Sequence, residues 1–470
     1  MRLNSIVSIA RGMLSRVPRW VQNASAPTAK ACGFCNYGML SRWQLQLRRS
    51  LIRTAKAWHP LKLLTSWRAS SRWQQLAAAA WGVVLVVVSV RAVVSPHRHT
   101  VYPIFSTAAR NWLAGGDLYV PQPGLDDYRY SPMATALMSP LGWLPDRLGG
   151  VLWRLFNAGV LLGALLGWTR NALPRSLTAN QRAALFLLIL PLTVGNLNNA
   201  QSNPLLLGLL LSAVTAAARH RWVVAAACIA VATGLKVYPI ALGLLLALVL
   251  SRRFAVALVL ALLGAIGLSF LLQEPGYVAR QWGEWFRHVW AEDRQSRPLE
   301  FWYRDFRLLW MVWLGPIGPQ SYRLTQMTVA ASLAVICWAA RRSRFQTQRD
   351  IPAERMPILV LGMSCCWMTV FGPATETSTY MLLAPSLAWA LVEAWLEWRS
   401  LWRRGLLIAS YGILLLGVIL AWFPGMSRSF QTLGASPLAG LLLLVAVVWP
   451  ELSRLRARGR RQLTCPVYPC

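Results

Sequence analysis

Lys236 stands inside an otherwise apolar stretch, Val223 to Leu250, which reads VVAAACIAVATGLKVYPIALGLLLALVL. An ammonium at membrane depth costs roughly 2.5–3.5 kcal/mol, so it persists only where it meets water or a fixed anion. Its chemistry there is that of a cation for a phosphate; the plainer alternative is a lysine snorkelling from a helix end. The 28 residues are too many for one span and too few for two full ones. Arg219 and Arg221 precede the stretch and Arg252 and Arg253 follow it, so both ends belong on one side. Two helices meeting near Lys236-Val237-Tyr238-Pro239 are predicted, with the lysine near the far membrane surface.

Acids and aromatic residues gather in two other segments. From His97 to Leu148 the chain carries His99, Tyr102, Asp117 and the run Asp126-Asp127-Tyr128-Arg129-Tyr130-Ser131. Flat rings beside carboxylates are what sugar binding needs, although an interfacial aromatic belt has the same composition. From Glu274 to Arg323, Trp282, Trp285, Trp290, Trp302 and Trp310 alternate with Arg287, Arg294, Arg297, Arg304 and Arg307. Arginine forks suit phosphate, and an amphipathic helix on anionic headgroups would look alike. The chain has no Walker A loop, dinucleotide-binding glycine fingerprint, HExxH or GxSxG.

The elements that must position these residues are membrane helices. Of 470 residues, 56% are hydrophobic and 14% charged, with several apolar runs near span length, which predicts an all-α polytopic membrane protein. Apolar runs and basic flanks give about twelve spans: Gln75–Val94, Gly149–Trp168, Ala183–Leu197, Pro204–Ala218, the two arms of the lysine hairpin, Phe254–Leu272, Leu324–Ala340, Met356–Phe371, Thr377–Leu396, Gly405–Phe423 and Ser436–Pro450. Both termini then lie inside, with the two segments above outside. The first outer segment is expected to hold short helical pieces at Ile104–Ala114 and Pro132–Trp143. Of the 16 acids, 11 fall in the outer segments, among them Asp126, Asp127 and Glu376. The net charge of +32 sits in short loops between spans, so it reports topology and anionic lipid rather than nucleic acid.

Three parts follow: a basic N-terminal segment 1–74, a transmembrane domain 75–450 and a basic tail 451–470. The N-terminal part holds 13 Lys and Arg and no acid, and is read as a cytoplasmic, membrane-surface segment; a presequence or a disordered tail shares that composition. Cys32 and Cys35 form a CxxC without a second pair at zinc spacing, and Cys228, Cys337, Cys365 and Cys366 lie in apolar spans as packing residues.

Several stretches together resemble glycosyltransferase family 87, the GT-C type membrane enzymes that include mycobacterial mannosyltransferases of phosphatidylinositol mannoside synthesis. They are AARNWLAGGDLY, YRYSPMATALMSPLGWLP with LWRLFNAG, GNLNNAQSNPLLLGLLL and GLKVYPIALGLLLAL, and more faintly DRQSRP and ATETSTYMLLAPSLAWAL. The resemblance implies a GT-C-like fold with outer-face juxtamembrane helices. It also implies inverting transfer of a sugar from a polyprenyl-phosphate donor to an acceptor hydroxyl, without metal or other cofactor. Under it Lys236, with Arg304 or Arg307, would meet the donor phosphate. Tyr102, Tyr130, Asn198, Gln201, Asn203 and Tyr238 would line the substrate pocket. The family's early aspartate should precede AARNW by a few residues, where this chain has Ser95 to Tyr102 and no acid. The general base is then sought at Asp127 or Asp126, next at Glu376, then at His99, whose ordinary pKa near 6.5 suits that work.

The reading is a hexosyltransferase, or a pentosyltransferase, of the bacterial inner membrane, with its active site outward and a lipid or glycan as acceptor. A lipid or sugar flippase and a catalytically inactive scaffold are the alternatives.

Overall fold

The computed structural model describes residues 70–291, 296–346, 355–397 and 400–464. The basic N-terminal segment as far as residue 69, the Cys32–Cys35 pair, and Asp293 and Arg294 of the second loop lie outside the described residues. What is described is helical, without strands.

In chain order the helices are α1 (Arg72–Val94), α2 (Tyr102–Ala114), α3 (Pro132–Met138), α4 (Asp146–Asn171), α5 (Ala179–Asn198), α6 (Asn203–Ala218), α7 (Trp222–Leu235), α8 (Ile240–Val249) and α9 (Arg252–Leu272). Then come α10 (Pro275–Ala291), α11 (Phe306–Leu314), α12 (Pro319–Gln346), α13 (Arg355–Val370), α14 (Ala384–Glu397), α15 (Leu401–Leu420), α16 (Pro424–Thr432) and α17 (Ala435–Thr464). Short 3₁₀ helices cover Ser139–Trp143, Leu299–Phe301 and Thr377–Leu383. The two loop segments are therefore built from short helices, α2 and α3 in the first and α10 and α11 in the second.

Each segment expected to span is helical. Among the described residues seven helices are long and apolar enough to cross a membrane: α1, α4, α9, α12, the Thr377–Leu396 segment, α15 and α17. α6, α7, α8 and α13 are apolar but shorter, and α5 carries Asn180, Gln181 and Arg182 at one end and Asn196 and Asn198 at the other. The chain is an all-α polytopic membrane protein, with fewer full-length crossings than the twelve expected. The basic tail expected from residue 451 continues α17 as far as Thr464, with Pro450 inside the helix.

The lysine hairpin shows why helix lengths matter. At 1.5 Å per residue, α7 rises about 21 Å and α8 about 15 Å, against a hydrocarbon core of about 30 Å. Each arm, flanked by arginines, is shorter than a full crossing. Lys236 stands at the break between the two arms, where the expected helices meet.

Helix α6 is the centre of the bundle, packed between α4 and α7 with Leu206, Leu207, Leu210, Leu211 and Val214 fully buried. Gly208 permits that closeness, since a Cβ there would sit 3.0 Å from the carbonyl carbon of Val160 on α4. Val83, Val86 and Val90 of α1 and Val256, Val259, Leu260 and Leu263 of α9 are exposed, as lipid-facing surfaces require.

Candidate active site

Two quoted motifs meet at the turn between α5 and α6. Trp153 Nε1 donates to the Ala200 carbonyl at 2.9 Å, and Asn157 Oδ1 accepts from Leu205 N at 3.1 Å. Between them Arg154 donates to the carbonyls of Leu197 and Asn198 at 3.0 and 2.8 Å. One face of LWRLFNAG thus holds GNLNNAQSNP, and the turn includes Ala200 at φ +56°, a left-handed conformation unusual for a residue with a Cβ. The tether matters because the turn forms one wall of a cavity.

A second set of tethers fixes Arg129-Tyr130-Ser131. Trp285 Nε1 on α10 donates to the Arg129 carbonyl at 3.1 Å, Tyr130 OH pairs with Ser202 Oγ at 2.9 Å, and Ser131 Oγ donates to the Gly234 carbonyl at 2.6 Å. Ser131 also caps α3, accepting from Ala134 N at 3.3 Å. The tripeptide is pinned to α10, to the start of α6 and to the end of α7. The Arg129 side chain faces Asp127 at 4.0 Å and Glu376 at 3.9 Å.

These tethers enclose a cavity of about 300 Å³. Asp126, Asp127, Arg129, Tyr130, Gln201, Lys236, Tyr238, Trp285, Tyr303 and Glu376 line it, together with Phe105 and Asn199. Its size is at the lower end of small-molecule sites, roughly 300–1,000 Å³. Lys236 enters at the break between α7 and α8, its ammonium 5.9 Å from the Tyr238 ring centroid. Glu376 enters from the first position before the 3₁₀ helix Thr377–Leu383, after a turn whose Ala374 takes φ +54°. Burial pushes the Tyr130 hydroxyl upward, so it serves as a neutral hydrogen-bonding group and not as a phenolate base.

Three of the four base candidates, Asp126, Asp127 and Glu376, therefore share one chamber with Lys236, Gln201, Tyr130 and Tyr238. The remaining expected residues lie elsewhere. His99 is exposed in the turn before α2 and does not line the cavity. Tyr102 is fully buried against Gly149 and Gly150 of α4. Asn198 is outside the lining, which takes Asn199 instead, and its carbonyl serves Arg154. Asn203 is fully buried behind Lys236, accepting from its Nζ at 2.8 Å.

The two arginines paired with Lys236 from the sequence are directed into their own loop. Arg304 donates to the carbonyls of Leu299 and Glu300 at 3.1 and 2.7 Å. Its backbone N–H donates to Thr375 O at 2.7 Å, bracing the turn that carries Glu376. Arg307 donates to the Ile317 carbonyl at 3.2 Å and lies against the rings of Trp302 and Tyr322. The arginine that does line the cavity is Arg129, which stands within an aromatic run. An arginine between two tyrosines, two residues after paired aspartates, was the signal.

Two acids near the cavity have structural duties. Asp117 Oδ1 accepts from Tyr119 N at 3.0 Å, closing a turn. Asp305 caps α11, accepting from Leu308 N at 3.2 Å and from Tyr322 OH at 3.0 Å, and burial pushes its carboxyl up to about 6.

No curated protein matches the chain. The sequence model of glycosyltransferase family 87 does, over residues 128–373. That span carries Arg129, Tyr130, Arg154, Asn203 and Lys236, while Asp126, Asp127 and Glu376 flank it by a few residues. With more than half of its length matched, this multi-pass membrane protein belongs to glycosyltransferase family 87.

Proposed function

We propose that the cavity transfers a hexose or pentose from a polyprenyl-phosphate sugar to an acceptor hydroxyl on the outer face of the bacterial inner membrane. What supports this is one chamber that joins the ammonium of Lys236, at the break between two apolar helices, to Arg129 and three carboxylates. The acceptor oxygen attacks the anomeric carbon as the bond from that carbon to the phosphate oxygen breaks. The hydroxyl proton passes to a carboxylate, Asp127 or Asp126 before Glu376, and polyprenyl phosphate leaves. The donor phosphodiester carries one negative charge and the leaving phosphate gains another. A cation beside it therefore binds the transition state more tightly than the ground state, which is the condition for catalysis. Attack opposite the leaving group inverts the anomeric centre.

Donor binding tests this reading. Purified protein in nanodiscs should bind polyprenyl-phosphate mannose and disregard a nucleotide sugar. Lys236→Met should weaken that binding by roughly 10- to 150-fold, since a hydrogen bond to a charged group contributes about 1.5–3 kcal/mol. Equal binding by the variant would return Lys236 to a snorkelling role. The orientation is tested by Ser296→Cys in a background without native cysteines. Labelling by an impermeant thiol reagent in intact cells is expected, and labelling only after lysis would place the site inside. Donor binding without transfer to any acceptor would favour the inactive scaffold.

A further inference from the structure

Lys236 is held by a chain of neutral amides. Its Nζ donates to Asn203 Oδ1 at 2.8 Å. Asn203 Nδ2 donates to Asn196 Oδ1 at 2.8 Å and to Ser378 Oγ at 3.3 Å. Asn196 Nδ2 then donates to the Ser378 carbonyl at 3.0 Å. Both ends of the chain admit one direction only, because an ammonium has no acceptor and a carbonyl has no donor. The orientation of both amides follows from those ends, with each oxygen turned toward the lysine side. Asn203 is fully buried and Asn196 nearly so, and a buried network with every member paired is rigid.

The chain links three walls of the cavity. Asn196 lies in the last turn of α5, Asn203 begins α6, and Ser378 lies two residues beyond Glu376. We infer that Asn203 is a positioning residue which aims Lys236 at the donor phosphate while leaving its charge uncancelled, and which fixes it relative to the Glu376 turn. This rests on the donor reading above. A carboxylate at the same position would hold the ammonium equally well and neutralise it. Arg129 is already placed between Asp127 and Glu376 at 4.0 and 3.9 Å. Lys236 is thus the cation of the chamber whose hydrogen-bond partner is a neutral side chain, so the phosphate belongs on that side and the acceptor hydroxyl beside the carboxylates that face Arg129.

The test compares Asn203→Asp with Asn203→Ala in nanodiscs, reading affinity for sugar-free polyprenyl phosphate and thermal stability together. Asn203→Asp should lower affinity at least about tenfold, the scale of one lost charge-assisted contact. Asn203→Ala should lower affinity less, because it adds no negative charge, and stability more, because it leaves the Lys236 ammonium without its acceptor; both variants remove the donor to Asn196. A purely structural role would rank the two variants in the same order on both readouts, and that result would overturn the inference. So would an Asn203→Asp affinity equal to that of the unmutated protein while Lys236→Met loses binding. If Lys236→Met itself binds normally, the donor reading fails and this inference fails with it.

Discussion

Two cations lie in the helical core, and they are held in opposite ways. Arg154, 4% exposed on α4, donates to the carbonyls of Gly150, Leu197 and Asn198 and to Thr100 Oγ1 at 2.8–3.0 Å. Four of its five N–H groups are thus bound to fixed acceptors. Lys236 donates to one neutral side chain and faces a cavity. A guanidinium with four donors bound, three of them to backbone carbonyls, is a fastener, joining the loop before α2 to the turn before α6. An ammonium with one partner and an adjoining chamber has donors left for a ligand. Both are charged groups set among packed helices; the number of fixed acceptors separates them.

The largest effect that would sharpen the contrast is at Arg154. Arg154→Met should lose several charge-assisted hydrogen bonds, at about 1.5–3 kcal/mol each, and so leave little folded protein in detergent. A stable Arg154→Met with impaired donor binding would move Arg154 into the same class as Lys236.

Next come the acids that line the cavity. Asp127→Asn or Asp126→Asn should lower turnover by roughly 10²–10⁴-fold with donor binding retained, as expected of a general base. Glu376→Gln should do less. The reverse ranking in steady-state assays would move the base to the opposite wall, and near-normal turnover in all three and in His99→Ala would remove the assignment.

A milder effect is expected at Asp305, a buried carboxylate fastened like Arg154. Its folded pKa, about 6, lies above the ordinary carboxylate value. The folded state therefore binds more protons than the unfolded one between the two values. The protonated form favours folding, and that contribution is lost as pH rises toward about 6. Asp305→Asn should flatten the fall in melting temperature over that interval, and an unchanged pH slope would contradict it.

The smallest effect is expected at Arg307. Its guanidinium donates to a carbonyl of its own loop, so Arg307→Ala should leave donor affinity nearly as it is and slightly lower thermal stability. A loss comparable to that of Lys236→Met would place Arg307 with the phosphate.

Much of the site was legible because its residues break local rules. A lysine in an apolar run, a proline three residues later and acids gathered between basic loops are each visible in one dimension. Arg129 was not, because nothing local separates it from Arg304 and Arg307. All three sit among aromatic residues, and only the fold decides which guanidinium finds carbonyls within its own loop and which is turned toward Asp127 and Glu376. Asn203, expected to line the pocket, lies buried behind Lys236 at the start of α6. Asn198 and Tyr102 were also displaced, one giving its carbonyl to Arg154 and the other packing against glycines of α4.

The sequence by itself determined the helical, membrane-spanning architecture, the interrupted hairpin at Lys236 and the family. Transfer of apolar side chains to lipid and internal pairing of every backbone group are requirements on consecutive residues, so a linear reading can satisfy them. The tertiary structure alone decided which polar groups meet. Lys236, Asn203, Asn196 and Ser378 come from four separate segments, and their hydrogen bonds form only once those segments are packed. A polar contact depends on tenths of an ångström between chain-distant atoms, whereas partition into lipid depends on the average character of a run.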